Sequence, residues 1–130
     1  MKDAELFSSL SERLAAGEPA ALVTVTGSER SAPREPGAKM LVFPGGATRG
    51  TIGGGRLEAQ AIEDALAALA EGRPRRAGYE LEPKALGMYC GGKVEVFIDV
   101  FAERLKLVIL GGGHVGEKTA ALAAFLGIPH

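Results

Sequence analysis

The chain has 130 residues, 46% apolar and 24% charged, with 15 Lys and Arg against 16 Asp and Glu. That length holds about one domain with an ordinary core, and a net charge of −1 lacks the basic excess of a nucleic-acid binder. No apolar run is long enough to span a bilayer, the N-terminus lacks a secretory layout, and one Cys makes no internal disulfide, so a cytoplasmic protein is expected.

Residues 2–16 read as a helix with Leu6, Phe7, Leu10 and Leu14 on one face and Gly17 at its end. Residues 20–26 are β-rich and predict a strand, followed by a loop over 27–37 whose prolines and glycines forbid a regular helix. Residues 38–43 predict a second strand, 44–47 a hairpin turn, and 48–52 a returning strand. That strand delivers Gly53-Gly54-Gly55, after which residues 57–70 show helical periodicity through Leu57, Ile62, Ala65, Leu66 and Leu69. Gly72 and Pro74 stop this helix, and Arg73, Arg75 and Arg76 read as a solvated loop. A short strand is expected over 77–81. A longer one is expected over 93–101, with Val94, Val96, Ile98 and Val100 on one face.

The character changes near residues 102–104. Residues 105–110 form an apolar run of the kind found in a strand buried on both faces. Gly111-x-Gly113-x-x-Gly116 follows at once and opens a helical stretch to Leu126, the dinucleotide fingerprint in a strand–turn–helix setting. The fold expected is therefore α+β. It comprises an N-terminal domain over 1–102, with a mixed sheet and two helices, then the first strand and helix of an incomplete Rossmann-like unit over 103–130. The acidic residue expected about 20 positions beyond the fingerprint has no counterpart before His130. Either the chain is a fragment or this strand and helix pack against the first domain or a second copy, and a homo-oligomer paired through the apolar run is expected.

Three glycine-flanked segments carry the candidate chemistry. In the stretch from Gly50 to Glu58, the amides of Gly53, Gly54 and Gly55 precede a helix start, where unpaired N–H groups and the helix dipole favour an anion. Arg56 adds a fork of donors, and Glu58 reads as a first-turn acid or a general base. These residues by themselves leave anion binding and a plain turn equally open. The segment 28–39 offers Arg34 and Lys39, and the segment 87–92 offers Cys90 beside Gly91 and Gly92. Cys90 reads either as a small buried apolar residue or as a reactive thiol favoured by nearby Lys93. One Cys and two His give no closed metal site of protein ligands. The three segments fall at strand ends or a helix start and are expected to meet on one rim.

The same residues carry a family likeness. Gly27-Ser28 with Ser31-Ala32-Pro33-Arg34-Glu35-Pro36-Gly37-Ala38-Lys39-Met40 resembles the GS-PR-PGAKM signature of the XdhC/CoxI family. Gly50-Thr51-Ile52-Gly53-Gly54-Gly55-Arg56-Leu57-Glu58 resembles its GTIGGG-LE signature, and Gly87-Met88-Tyr89-Cys90-Gly91-Gly92 its GM-CGG signature. Residues 107–116 resemble the opening of its second domain. The resemblance implies an accessory factor for molybdenum hydroxylases such as xanthine dehydrogenase. Such a factor binds molybdenum cofactor, protects it during sulfuration with a cysteine desulfurase as sulfur donor, passes it to the target enzyme, and dimerises. It implies that the Gly53–Gly55 amides with Arg56 and Glu58, the cations Arg34 and Lys39, and Gly91 and Gly92 hold the cofactor, while Cys90 contacts the metal or carries sulfur. Two other readings stay open: an NAD(P)-dependent oxidoreductase fragment using Gly111, Gly113 and Gly116, and a non-catalytic module that only dimerises.

Overall fold

The computed structural model describes residues 1–29, 35–81, 92–102, 107–128 and 130. The described elements are α1 (Asp3–Ala15), β1 (Ala20–Glu29), β2 (Lys39–Val42), β3 (Thr48–Gly50), α2 (Gly55–Glu71), β4 (Arg75–Glu80), β5 (Lys93–Phe101) and α3 (His114–Phe125). Five strands form one sheet in the order β3-β2-β1-β5-β4.

The sheet is antiparallel at every described pairing, which corrects the mixed sheet expected from the sequence. The connection β3–α2–β4 has the form of a crossover, because β3 and β4 run in the same direction. It spans the whole sheet, from one edge to the other, so its two strands never become neighbours.

Strand alternation divides the side chains between two helical layers. Met40 and Val42 of β2 join Ala21, Val23 and Val25 of β1 and Val94, Val96 and Ile98 of β5 beneath α2. Leu41 and Phe43 point the opposite way and pack with Ala20 and with Leu6 and Leu10 of α1. The helices therefore cover opposite faces. Phe7, expected on the inner face of α1, is 44% exposed. It lies about 100° around the helix from Leu6, outside the Leu6–Leu10–Leu14 row. On α2 the fully buried positions are Ala61, Ala65 and Ala68 beside Leu57, with Ile62, Leu66 and Leu69 only partly buried. Alanines bring the helix axis close to the sheet, and the larger side chains fill the flanks.

β1 runs three residues beyond its expected end. The ladder with β5 shifts between Val25 and Gly27, leaving Thr26 as the extra residue of a bulge. The Thr26 hydroxyl donates to the Glu95 carbonyl (3.3 Å), which satisfies a backbone acceptor at the irregularity. β4 likewise starts at Arg75, so Arg75 and Arg76 are strand residues and not part of a solvated loop. Arg75 is held over α2 by Asp64 (3.3 Å) and Glu71 (3.0 Å), and the Tyr79 hydroxyl donates to the second Asp64 oxygen (2.7 Å). Burial, then the hydrogen bond to Asp64 and its charge, raise the Tyr79 pKa, so this phenol stays protonated.

Beyond the sheet, α3 forms where the periodicity places it, but residues 107–110 form no ladder. A strand is defined by its partners, and no described residue pairs with this run. Val108 and Leu110 are 69% and 95% exposed. Residues 105 and 106 lie outside the described set.

Candidate functional site

Strand direction decides which loops meet. Register places Lys39 beside Thr24, Gly50 beside Met40, Glu29 beside Lys93, and Glu80 beside Lys93. The C-terminal ends of β1, β3 and β4 and the N-terminal ends of β2 and β5 therefore share one end of the sheet. α2 starts there too. The described flanks of all three glycine-rich segments lie along this rim: Glu29 and Gly37–Lys39, Gly50–Glu58, and Leu81 with Gly92. Two backbone bonds tie the flanks, from Gly37 N to the Val25 carbonyl (2.7 Å) and from Leu81 N to the Gly92 carbonyl (2.7 Å). Arg34, Cys90 and Gly91 lie outside the described residues.

Among the described residues of the rim, the turn into α2 carries a dense set of hydrogen bonds. Gly53, Gly54 and Gly55 all have positive φ (126°, 77° and 64°), a run that side-chain-bearing residues rarely adopt. This curls the chain so that successive N–H groups converge. They converge on the protein's own carboxylate. Glu58 Oε1 accepts from the amides of Ile52 (3.0 Å), Gly53 (3.1 Å) and Gly54 (2.8 Å), and from the Thr51 hydroxyl. Thr51 Oγ1 in turn accepts from Gly53 N (2.9 Å). Burial pushes the Glu58 pKa up. The Thr51 hydroxyl and the amides of Gly54, Gly53 and Ile52 outweigh it and hold the carboxylate below its ordinary range. A carboxylate so stabilised is a poor general base, and its visible work is to close the glycine turn on itself.

That contact was hidden in the sequence because Glu58 and the glycines read as separate features. The spacing did hold a signal: an acid one turn inside a helix reaches back to amides before its start, as in a capping box. Lys39 opens β2, and its Nζ donates to the Gly37 carbonyl (2.7 Å). Arg56 and Gly55 are exposed in the first turn of α2, and Gly92 is buried where its carbonyl caps the β4–β5 ladder.

Gly111, Gly113 and Gly116 form a separate turn at the start of α3. Gly111 has φ +120°, and a Cβ on Gly116 would stand 2.3 Å from the Gly111 carbonyl oxygen. Space around Gly112 and Gly113 is open. Among the described residues, no core cluster includes a residue of 107–130, and no group of three or more His, Cys, Asp or Glu is placed to hold a metal ion. No described helix is long and apolar enough to cross a membrane.

The model of the XdhC and CoxI family matches residues 13–80, more than half of the chain, including the first two rim segments. The chain belongs to the XdhC and CoxI family. This XdhC/CoxI chain is 42% identical over 116 residues to the uncharacterized protein YqeB of Escherichia coli (strain K12), with 84% of the chain aligned to 20% of that protein. It is also similar to a crystal structure described as a xanthine dehydrogenase from Bacillus halodurans, with a TM-score of 0.64 and 28% identity. That match covers 77% of this chain and 30% of the other. The XdhC/CoxI chain thus spans about a fifth of the curated relative and under a third of the solved one.

Proposed function

We propose that the rim receives molybdenum cofactor and that the chain belongs to an accessory factor for a molybdenum hydroxylase such as xanthine dehydrogenase. The observation that carries this reading is the meeting of the family-signature flanks at one end of the sheet. The xanthine dehydrogenase description of the Bacillus halodurans protein supports the target class.

The donors fit an oxyanion in kind, since the glycine turn already wraps a carboxylate oxygen in three amides and a hydroxyl. With Glu58 in that place, countercharge for phosphate and oxo groups falls to Arg34, Lys39 and Arg56. Gly55 and Gly91 allow close backbone approach, buried Gly92 holds the β4–β5 ladder end at the rim instead, and Glu58 keeps the turn in shape. Bound there, the cofactor supplies the molybdenum centre whose sulfuration the target requires. Cys90 is the thiol assigned to its metal end, and a cysteine desulfurase is the sulfur donor in this scheme.

The test is retention. The chain mixed with molybdenum cofactor and passed through gel filtration is expected to carry molybdenum in about equimolar amount and to slow the cofactor's oxidation. Lys39→Ala with Arg56→Ala should lose most of it, and Cys90→Ala should lose the protection. A chain that neither retains nor protects the cofactor, with Cys90→Ala behaving identically, overturns the reading.

A second reading draws on Gly116. Its contact with the Gly111 carbonyl and the open space at Gly113 reproduce the close-packing and close-approach roles of the dinucleotide fingerprint. If this turn binds NAD(P)H, titration will enhance the nicotinamide fluorescence and Gly113→Val will abolish the change. An unchanged emission across the titration removes it.

A further inference from the structure

β4 is an edge strand, with no described strand on its outer side. The bond from Leu81 N to the Gly92 carbonyl sets the alternation along it. Residues 75, 77 and 79 direct their backbone groups toward β5, and Arg76, Gly78 and Glu80 direct theirs outward. All three outward residues are exposed. Soluble proteins protect such edges with charges that repel an incoming strand. Here the two charges have opposite sign and sit symmetrically about a glycine, in the order Arg76-Ala77-Gly78-Tyr79-Glu80.

We propose that β4 pairs antiparallel with β4 of a second copy of this chain, with the two-fold axis through Gly78. In that register Gly78 faces Gly78 of the partner subunit, and each Arg76 faces the opposite Glu80. Each of these pairs exchanges both N–H···O bonds, so every outward backbone group of β4 gains a partner. The charged pairs project on the face away from α2, because Tyr79 and Ala77 project toward it. Opposite charges directly across an antiparallel pair attract, and like charges repel. Shifting the register by two residues removes the Arg–Glu match, so the charge order selects one alignment. The contact is isologous and closes at two copies, making one continuous sheet. The rims lie at opposite ends of it, and each copy keeps its own site.

The experiment is a charge exchange on the full chain, read by sedimentation velocity over a concentration series. Arg76→Glu places glutamates opposite each other at both symmetric contacts, and Glu80→Arg does the same with arginines. Each variant is expected to weaken self-association by about tenfold or more. An equimolar mixture of the two restores both Arg–Glu contacts and is expected to form a heterodimer as tightly as the parent forms its homodimer. Gly78→Pro, which deletes an outward N–H and leaves the β4–β5 ladder intact, should also give monomers. A monomeric parent, variants that associate like the parent, or a mixture that stays monomeric would overturn the proposal. Circular dichroism identifies any variant that fails to fold, and Gly78→Pro then decides by itself.

Discussion

Gly50→Ala is expected to destabilise the chain by about 3 kcal/mol in denaturant unfolding, the largest effect of any single methyl group added to the sheet. Gly50 closes β3 with φ +77°, and a Cβ there would stand 2.7 Å from the Lys39 carbonyl oxygen and 2.9 Å from Leu6 Cδ1. Neither neighbour can yield cheaply. The carbonyl belongs to β2 beside the Met40–Gly50 pairing, and Leu6, only 2% exposed, anchors α1 to the sheet. Left-handed backbone alone costs a side-chain-bearing residue about 1–2 kcal/mol, and overpacking adds about 1–3 kcal/mol. Gly45→Ala separates the two contributions. Gly45 has φ +90° with nothing within 4 Å of its would-be Cβ, so it should cost about 1–2 kcal/mol through backbone strain only. Equal losses for the two variants would show that the contact at Gly50 carries no energy.

Removing the Glu58 carboxylate should be the next most damaging change. Glu58→Ala takes the shared acceptor from three amides and the Thr51 hydroxyl and is expected to cost about 2 kcal/mol. Glu58→Gln keeps an acceptor oxygen and removes the charge, so it isolates the titration. The folded-state pKa of Glu58 lies below the ordinary 4.5, so the folded chain binds this proton more weakly than the unfolded chain does. Its stabilisation is therefore complete above about pH 4.5 and is lost as pH falls through the lowered folded value. The parent should exceed Glu58→Gln in stability at neutral pH, and the gap should close in acid. A gap that stays constant from neutral pH to below the folded value would show that the charge plays no part in closing the turn.

Much of the architecture was legible because it depends on short-range patterning. Leu6, Leu10 and Leu14 recur at the helix period, and Val94 to Val100 alternate at the strand period. Gly72 stops α2 in the left-handed conformation (φ +65°), as its place in the sequence suggests. The errors have long-range causes. Phe7 is as apolar as Leu6 and Leu10, and which side of α1 meets the sheet, with Phe7 about 100° around the helix from Leu6, leaves it 44% exposed. Arg75 looked like solvent-facing charge because Asp64 and Glu71, its partners, lie on another element. Residues 107–110 read as a buried strand from composition, but a ladder needs a neighbour that composition does not supply.

The rim divides in the same way. Its ingredients were written in the sequence: three glycine-rich segments, the cations Lys39 and Arg56, and an acid at Glu58. The sequence by itself determined which residue types are available at each turn, because glycine's freedom and helix-start chemistry are local properties. Only the tertiary structure decided that the flanks of these segments share one end of the sheet, because strand direction follows from pairing across the chain. Folding also decided that the anion held by the Ile52, Gly53 and Gly54 amides is Glu58. Three positive-φ glycines turn the chain back far enough for a carboxylate from the first turn of α2 to reach those donors, a closure in space that one-dimensional spacing does not fix.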